Sequence, residues 1–250
     1  MSPTLARRPL VTLLAALLTI LMLAPAGAAA PRAATPDGWP IPPVGARVGL
    51  QVGHLRIADL PDDQARLRGQ TGGSGGGYRE VDVNLAVVTR AAALLEARGV
   101  TVDILPAAVP PRYQADAFIA VHCDASADTG ANGYKLARYR ASQLPIADDL
   151  LIASLSEAYG AATGLRLDDN ITRPMTGYYA YNARLYRSII SPQTPSAIFE
   201  LGYLTNPGDR ALLTGRQDAL AAALAGGVLR FLAANGRSWA TVLDTSFLLP

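Results

Sequence analysis

The chain has 250 residues, half of them hydrophobic and 17% charged, with 22 basic and 20 acidic side chains. The first 30 residues hold two of the basic side chains and no acidic one, so the remainder is formally neutral and offers no basic stripe to a nucleic acid. The single cysteine, Cys123, excludes an intramolecular disulfide framework.

Residues 1–30 read as a secretory signal. Arg7 and Arg8 form a positive segment, residues 10–23 an almost unbroken apolar run, and residues 24–30 a set of small-residue cleavage sites. That run is short for a bilayer span. The expectation is export to the periplasm, cell wall or extracellular space, with no stable membrane span after cleavage. Residues 31–45, rich in proline and alanine, read as a linker. Residues 46–235 read as one catalytic domain and residues 236–250 as a short tail. About 220 mature residues suffice for one α/β domain with a substantial core.

The domain opens with a strand over residues 47–52, followed by His54 and a polar loop ending in six residues, 72–77, of which five are glycine. This loop lacks the Gly-Lys-Ser/Thr ending of a phosphate-binding loop. From Val81 the pattern turns helical, with Leu85, Val88, Ala92 and Leu95 at spacings of three and four and Gly99 past the end. Strands follow at residues 100–105, 117–122 and 133–139. Residues 146–163 predict a helix with Ile146, Leu150, Leu151 and Leu155 on one face and Gly164 as its stop. Residues 165–195 are irregular and tyrosine-rich. Residues 195–201 read as a buried strand and 216–234 as a closing amphipathic helix. The alternation implies a single α/β domain: a mostly parallel or mixed central sheet, helices on both faces, and a site at the strand carboxyl ends.

His54 and His122 are the only two histidines, and each closes an apolar strand-like run. Two carboxylates stand out beside them. Glu80 sits in the first turn of the first helix, where a cap or dipole partner is also common. Glu200 interrupts an apolar strand, a costly place for a charge without a partner or metal. Two imidazoles and one carboxylate suit a tetrahedral zinc with an open position for water, whose pKa falls from ~15.7 to about 7. Glu200 would then handle the water's proton. The His-Glu-x-x-His motif is absent.

These residues lie in four ordered stretches that resemble the zinc-dependent N-acetylmuramoyl-L-alanine amidases of the type 3 family. The stretches are Val52-Gly53-His54, Glu80-Val-Asp-Val-Asn84-Leu85, Phe118-Ile-Ala-Val-His122-Cys-Asp-Ala125, and Phe199-Glu200-Leu-Gly202-Tyr-Leu-Thr-Asn206-Pro-Gly-Asp209. The resemblance spans roughly residues 46–234. It implies that His54, Glu80 and His122 bind Zn2+, that Glu200 is catalytic, and that peptidoglycan is cleaved between N-acetylmuramic acid and L-alanine, releasing stem peptides. Arg173, Tyr178, Tyr179 and Arg184, in the irregular stretch, are candidate substrate-binding residues of a groove wall.

The chain departs from the family at the first motif. The family usually reads Asp-Pro-Gly-His-Gly-Gly, whereas Gln51-Val52-Gly53-His54-Leu55-Arg56 stands here. Two other readings share the same residues: a zinc hydrolase acting on another peptide amide, carboxypeptidase-like, and a zinc-retaining wall-binding module without turnover.

Overall fold

Apolar side chains alternate with small or polar ones along the strand segments, so each strand can face two different environments. The computed structural model describes residues 38–245, all within one compact unit. Residues 1–37, which include the expected signal and part of the expected linker, and residues 246–250 lie outside the described residues. In chain order, β1 (Arg47–Val52) leads through two 3-10 turns, Ile57–Asp59 and Asp62–Leu67. A two-residue hairpin, β2 (Ser74–Gly75) and β3 (Tyr78–Arg79), then feeds α1 (Glu80–Glu96). β4 (Thr101–Leu105), β5 (Ala117–Asp124), β6 (Lys135–Ala137) and α2 (Pro145–Thr163) follow. The single turn α3 (Arg173–Thr176), a 3-10 turn at Tyr179–Tyr181, β7 (Ser196–Tyr203), α4 (Pro207–Gly215) and α5 (Gln217–Thr245) complete the fold.

The sheet order is β4-β1-β5-β7-β6, parallel except for β6, which runs antiparallel to β7 at one edge. Its two faces are covered unequally. Val48, Leu50, Val52, Ile119, Val121, Phe199 and Leu201 point to one side and pack with α1, α2 and α5 in the main core. The other side carries Phe118, Ala120 and Ile198 in a second core under the 3-10 turns, α3 and the tyrosine-rich stretch. Long helices therefore seal one face, and short turns with loops cover the other. This second face is where a cavity can open.

Helix limits follow local chemistry. Pro145 starts α2 with a fixed φ and no donor lost. Gly164 ends it in the left-handed region at φ 70°. Ile146, expected on the core face of α2, is 86% exposed. At about 100° per residue it falls about 180° from Leu155, and the inward positions belong to Asp148, Leu151, Leu155 and Tyr159. Leu85 likewise lies at the margin of the inward stripe of α1 and is exposed, while Val83, Val87, Ala91 and Leu95 fill the core. The expected closing helix is α5, which continues to Thr245, well into the stretch expected as a tail. Its window Gln217–Gly236 is long and apolar enough to cross a membrane, yet 61% of it is buried inside the domain, as befits a core helix.

α2 and α5 cross closely because Gly227 carries no side chain: a Cβ there would stand 2.8 Å from the Leu155 Cα. Valine at 227 gains up to about 0.5 kcal/mol of helix propensity over glycine. Overpacking costs about 1–3 kcal/mol. Gly227→Val is therefore expected to lower the urea unfolding midpoint, with a net loss of about 1–2 kcal/mol.

Candidate metal centre

Strand parity and register assemble the site. On the loop-covered face, β5 pairs His122 with Glu200 of β7, and β6 pairs Lys135 with the same glutamate. The three side chains thus stand abreast at the carboxyl ends of β5 and β7. β1 pairs Val52 with Val121, and the Gly53 N–H donates to the Val121 carbonyl at 2.9 Å. His54 then turns into the left-handed region, at φ 63°. Gly53 makes this approach feasible, because a Cβ there would lie 2.4 Å from His122 Cε1.

The glycine loop serves Glu80. The Gly73 N–H donates to Glu80 Oε2 at 2.7 Å, and the Glu80 N–H returns a bond to the Gly73 carbonyl at 2.9 Å. A Cβ on Gly72 would stand 2.8 Å from both Glu80 Oε2 and His54 Cδ2. The other carboxylate oxygen, Oε1, receives the Cys123 N–H at 3.3 Å and Asn84 Nδ2 at 3.4 Å. Cys123 itself is buried on the helix side of the sheet.

Both imidazoles converge on that same oxygen. His54 Nε2 is 3.3 Å and His122 Nδ1 2.8 Å from Glu80 Oε1, and the two rings meet edge-to-face at 4.9 Å. His54 Nδ1 lies 2.6 Å from the Gln70 carbonyl. A carbonyl can only accept, so Nδ1 carries the proton and the Nε2 lone pair faces Glu80. One ligand atom from each of His54, Glu80 and His122 lies within 4.8 Å of the others. Two nitrogen lone pairs and a carboxylate directed at one point fit a divalent cation such as zinc. Where a ring carries a second proton in place of a cation, the nitrogen facing Glu80 donates to it instead. Burial pushes the Glu80 pKa up, but hydrogen bonds from His122 and His54 outweigh it and hold the carboxyl well below its usual range. Burial likewise lowers the His54 pKa, but the bond to Glu80, the charge of Glu80 and the bond to the Gln70 carbonyl together outweigh it and raise it.

Glu200 is arranged differently. Its Oε2 is buried and has no hydrogen-bond partner. Burial, reinforced by the Glu80 and Asp124 carboxylates, pushes its pKa well above the ordinary value, with Lys135 opposing. Lys135 is 2% exposed and committed to Asp124, with Nζ 2.6 Å from Oδ2, and it stands 4.8 Å over the Tyr203 ring. Burial alone would lower the Lys135 pKa; the bonds to Asp124 and Tyr203, with the charge of Asp124, together outweigh it and push it up to about 12. A cavity of about 610 Å³ opens over this group, lined by His54, His122, Glu200, Lys135, Tyr178 and Arg66 among others.

The structure thus brings His54, Glu80, His122 and Glu200 together. It divides the four candidate groove residues. Tyr178 and Tyr179 are buried and line the cavity. Arg173 and Arg184 are exposed and lie outside its lining, because Met175 takes the inward position on α3 and Arg184 sits in the outer turn after Asn182. Lys135, Gln51 and Gln70 belong to the site without having been expected there. For Gln51 the signal was available: it is a polar residue inside the apolar run of residues 48–52, the same feature that singled out Glu200.

A donor set of this kind at the carboxyl ends of a mixed α/β sheet could hold a metal ion, as metal-assisted hydrolases do. Residues 50–230 match the family model described as N-acetylmuramoyl-L-alanine amidase, and the chain belongs to that family. Its activity is hydrolysis of the amide between N-acetylmuramic acid and L-alanine in peptidoglycan. The fold is that of solved amidases. Ami1 from Mycobacterium smegmatis aligns with a TM-score of 0.57 at 19% identity, over 76% of this chain and 98% of that one. Ami1 from Mycobacterium abscessus gives 0.56 at 20%, over 76% and 100%. AmiC2 of Nostoc punctiforme gives 0.52 at 23%, over 76% and 99%. No curated protein sequence matches the chain.

The close approach of Gly53 to His122 yields a specific expectation. Gly53→Ala should push the His122 ring aside and weaken zinc binding about 10-fold or more, the scale of lost ligand orientation. Competition with a chromophoric chelator measures it, and far-ultraviolet circular dichroism should stay unchanged.

Proposed function

We propose that the chain is a zinc-dependent amidase acting outside the cytoplasm, in which His54, Glu80 and His122 hold the metal and Glu200 moves the proton. Residues 1–30 serve as the export signal in this reading, residues 31–45 as the linker, and residues 46–235 as the catalytic domain. Bound at this centre, zinc supplies Lewis-acid polarisation of the scissile carbonyl and makes a nucleophilic water available at neutral pH.

The residues of the chain account for the other half of the chemistry. Glu200 accepts a proton from the attacking water and delivers it to the nitrogen of L-alanine as the carbon–nitrogen bond breaks. The products are a lactyl carboxylate on the glycan and a stem peptide with a free amino terminus. A carboxyl raised by burial is well matched to taking and returning a proton near neutrality. The Lys135–Asp124 pair keeps the ammonium occupied beside Glu200, so Glu200 stays available for proton transfer. The observation that carries the reading is the unpartnered, buried Oε2 of Glu200 beside His122. A carboxylate oxygen bears a desolvation cost there with no structural bond in return.

The test is purified mature chain on peptidoglycan, with newly exposed alanine amino groups labelled and identified by mass spectrometry. Chelation should abolish release and zinc should restore it. Glu200→Gln should reduce the rate by about 10²–10⁴-fold while retaining zinc. Release of a free C-terminal amino acid in place of a stem peptide would contradict the assignment, as would full activity in Glu200→Gln.

A further inference from the structure

His54 has a backbone carbonyl behind it, but His122 is backed by something less ordinary. Its Nε2 lies 2.9 Å from the Tyr178 hydroxyl, in a ring contact of 5.3 Å, and both residues are buried. The Tyr178 hydroxyl in turn lies 2.8 Å from Gln51 Oε1. Gln51 is fully buried in β1, on the cavity face of the sheet. Its Nε2 is 2.9 Å from the Ala107 carbonyl and 3.3 Å from both the Pro106 carbonyl and the Tyr179 hydroxyl.

Proton positions along this chain follow from its far end. The Ala107 and Pro106 carbonyls can only accept, so the Gln51 amide nitrogen must face them. Gln51 Oε1 then faces Tyr178, and an amide oxygen also only accepts, so the Tyr178 hydroxyl donates to it. A phenol has one proton to give. With it committed to Gln51, the Tyr178 oxygen can only accept from His122 and so favours the neutral imidazole with its proton on Nε2, while the Glu80 carboxylate draws that proton towards Nδ1 as long as no cation is bound. In the Nε2–H tautomer the lone pair is left on Nδ1, the atom 2.8 Å from Glu80 Oε1 and the one free to take up a metal. Two backbone carbonyls thereby bias the tautomer of an imidazole two side chains away.

We infer that Tyr178 and Gln51 are positioning residues that bias His122 towards the Nε2–H tautomer, and so raise the metal affinity of the centre. This inference rests on the zinc reading above. It moves Tyr178 from the expected role of a substrate-binding residue in a groove wall to that of an outer partner of a ligand. It also gives the altered first motif a function: Gln51, standing where the family usually has aspartate, acts at His122 through Tyr178. A glutamine suits the place because its two ends differ, one donating to fixed carbonyls and the other accepting from the phenol.

Two readouts on the purified mature chain test this. The first is zinc affinity by chelator competition, and the second is the His122 tautomer, read from nitrogen-15 imidazole shifts of the metal-free protein at a pH where the ring is neutral. Wild type should show a larger Nε2–H share than Tyr178→Phe, in which Glu80 alone directs the proton. Tyr178→Phe should lose that tautomer preference and bind zinc about 10–100-fold more weakly, the usual scale for an outer partner of a metal ligand. Gln51→Leu frees the phenol proton to donate to Nε2, and it should shift the tautomer towards Nδ1–H even with Tyr178 in place. Gln51→Glu keeps an acceptor for Tyr178 and should retain the wild-type tautomer. Unchanged tautomer and zinc affinity in both Tyr178→Phe and Gln51→Leu would overturn the inference; a raised KM in Tyr178→Phe would then mark direct substrate contact. If wild type binds no zinc, the metal reading falls and with it the affinity claim, whereas the tautomer measurement still decides the positioning role.

Discussion

Two imidazole nitrogens and a carboxylate oxygen are forced together around Glu80, and the surrounding structure is built to keep them there. Such a cluster of electron-pair donors is unfavourable in a buried place without a cation. Each member is therefore fixed from behind. Gln70 holds His54, Tyr178 holds His122, and the Gly73 and Cys123 amides with Asn84 hold Glu80. The glycines at 53 and 72 remove the side chains that would otherwise occupy the space. In the glycine-rich loop, Gly72 and Gly73 allow the close approach to Glu80, while Gly75 and Gly76 pack against the Leu204 carbonyl and the Arg210 side chain.

The sheet makes this concentration of polar groups tolerable by separating two tasks. One face carries the main core, where three long helices bury the apolar residues of β1, β5 and β7. The other face gives up part of its burial to a cavity and carries Gln51, His122, Glu200 and Lys135 on neighbouring strands. Since side chains alternate with a period of two, a one-residue slip in β5 would move His122 into the helix core and Cys123 into the cavity. The apolar alternation that stabilises the fold is therefore also what fixes the register of the chemistry.

Much of this was legible in the sequence, and the legible part has a common cause. β1, β5 and β7 are buried, so their apolar runs are unambiguous, and His54, His122 and Glu200 stand out against them. Gly99 and Gly164 marked helix ends because only a left-handed residue was needed there, at φ 85° and 70°. The short turns at Ile57–Asp59, Asp62–Leu67 and Arg173–Thr176 were not visible, since a single turn leaves no periodicity to read. α4 was missed although Asn206-Pro207 announces it: the Asn206 side chain caps the Gly208 and Asp209 amides. That Arg173 and Arg184 stand outside the cavity lining was illegible for a different reason. Which side of an irregular segment faces a cavity depends on tertiary packing, here on Met175 turning inward. The Tyr178–Gln51 bond joins residues 127 positions apart, beyond any local pattern.

The account stands on the convergence at Glu80 being a metal site. Its most direct test is elemental analysis of the mature chain equilibrated with zinc and dialysed, wild type against Glu80→Gln. The account predicts stoichiometric zinc in wild type and little or none in Glu80→Gln, with both proteins folded. A wild type without zinc, or a Glu80→Gln chain that retains it in full, would contradict it.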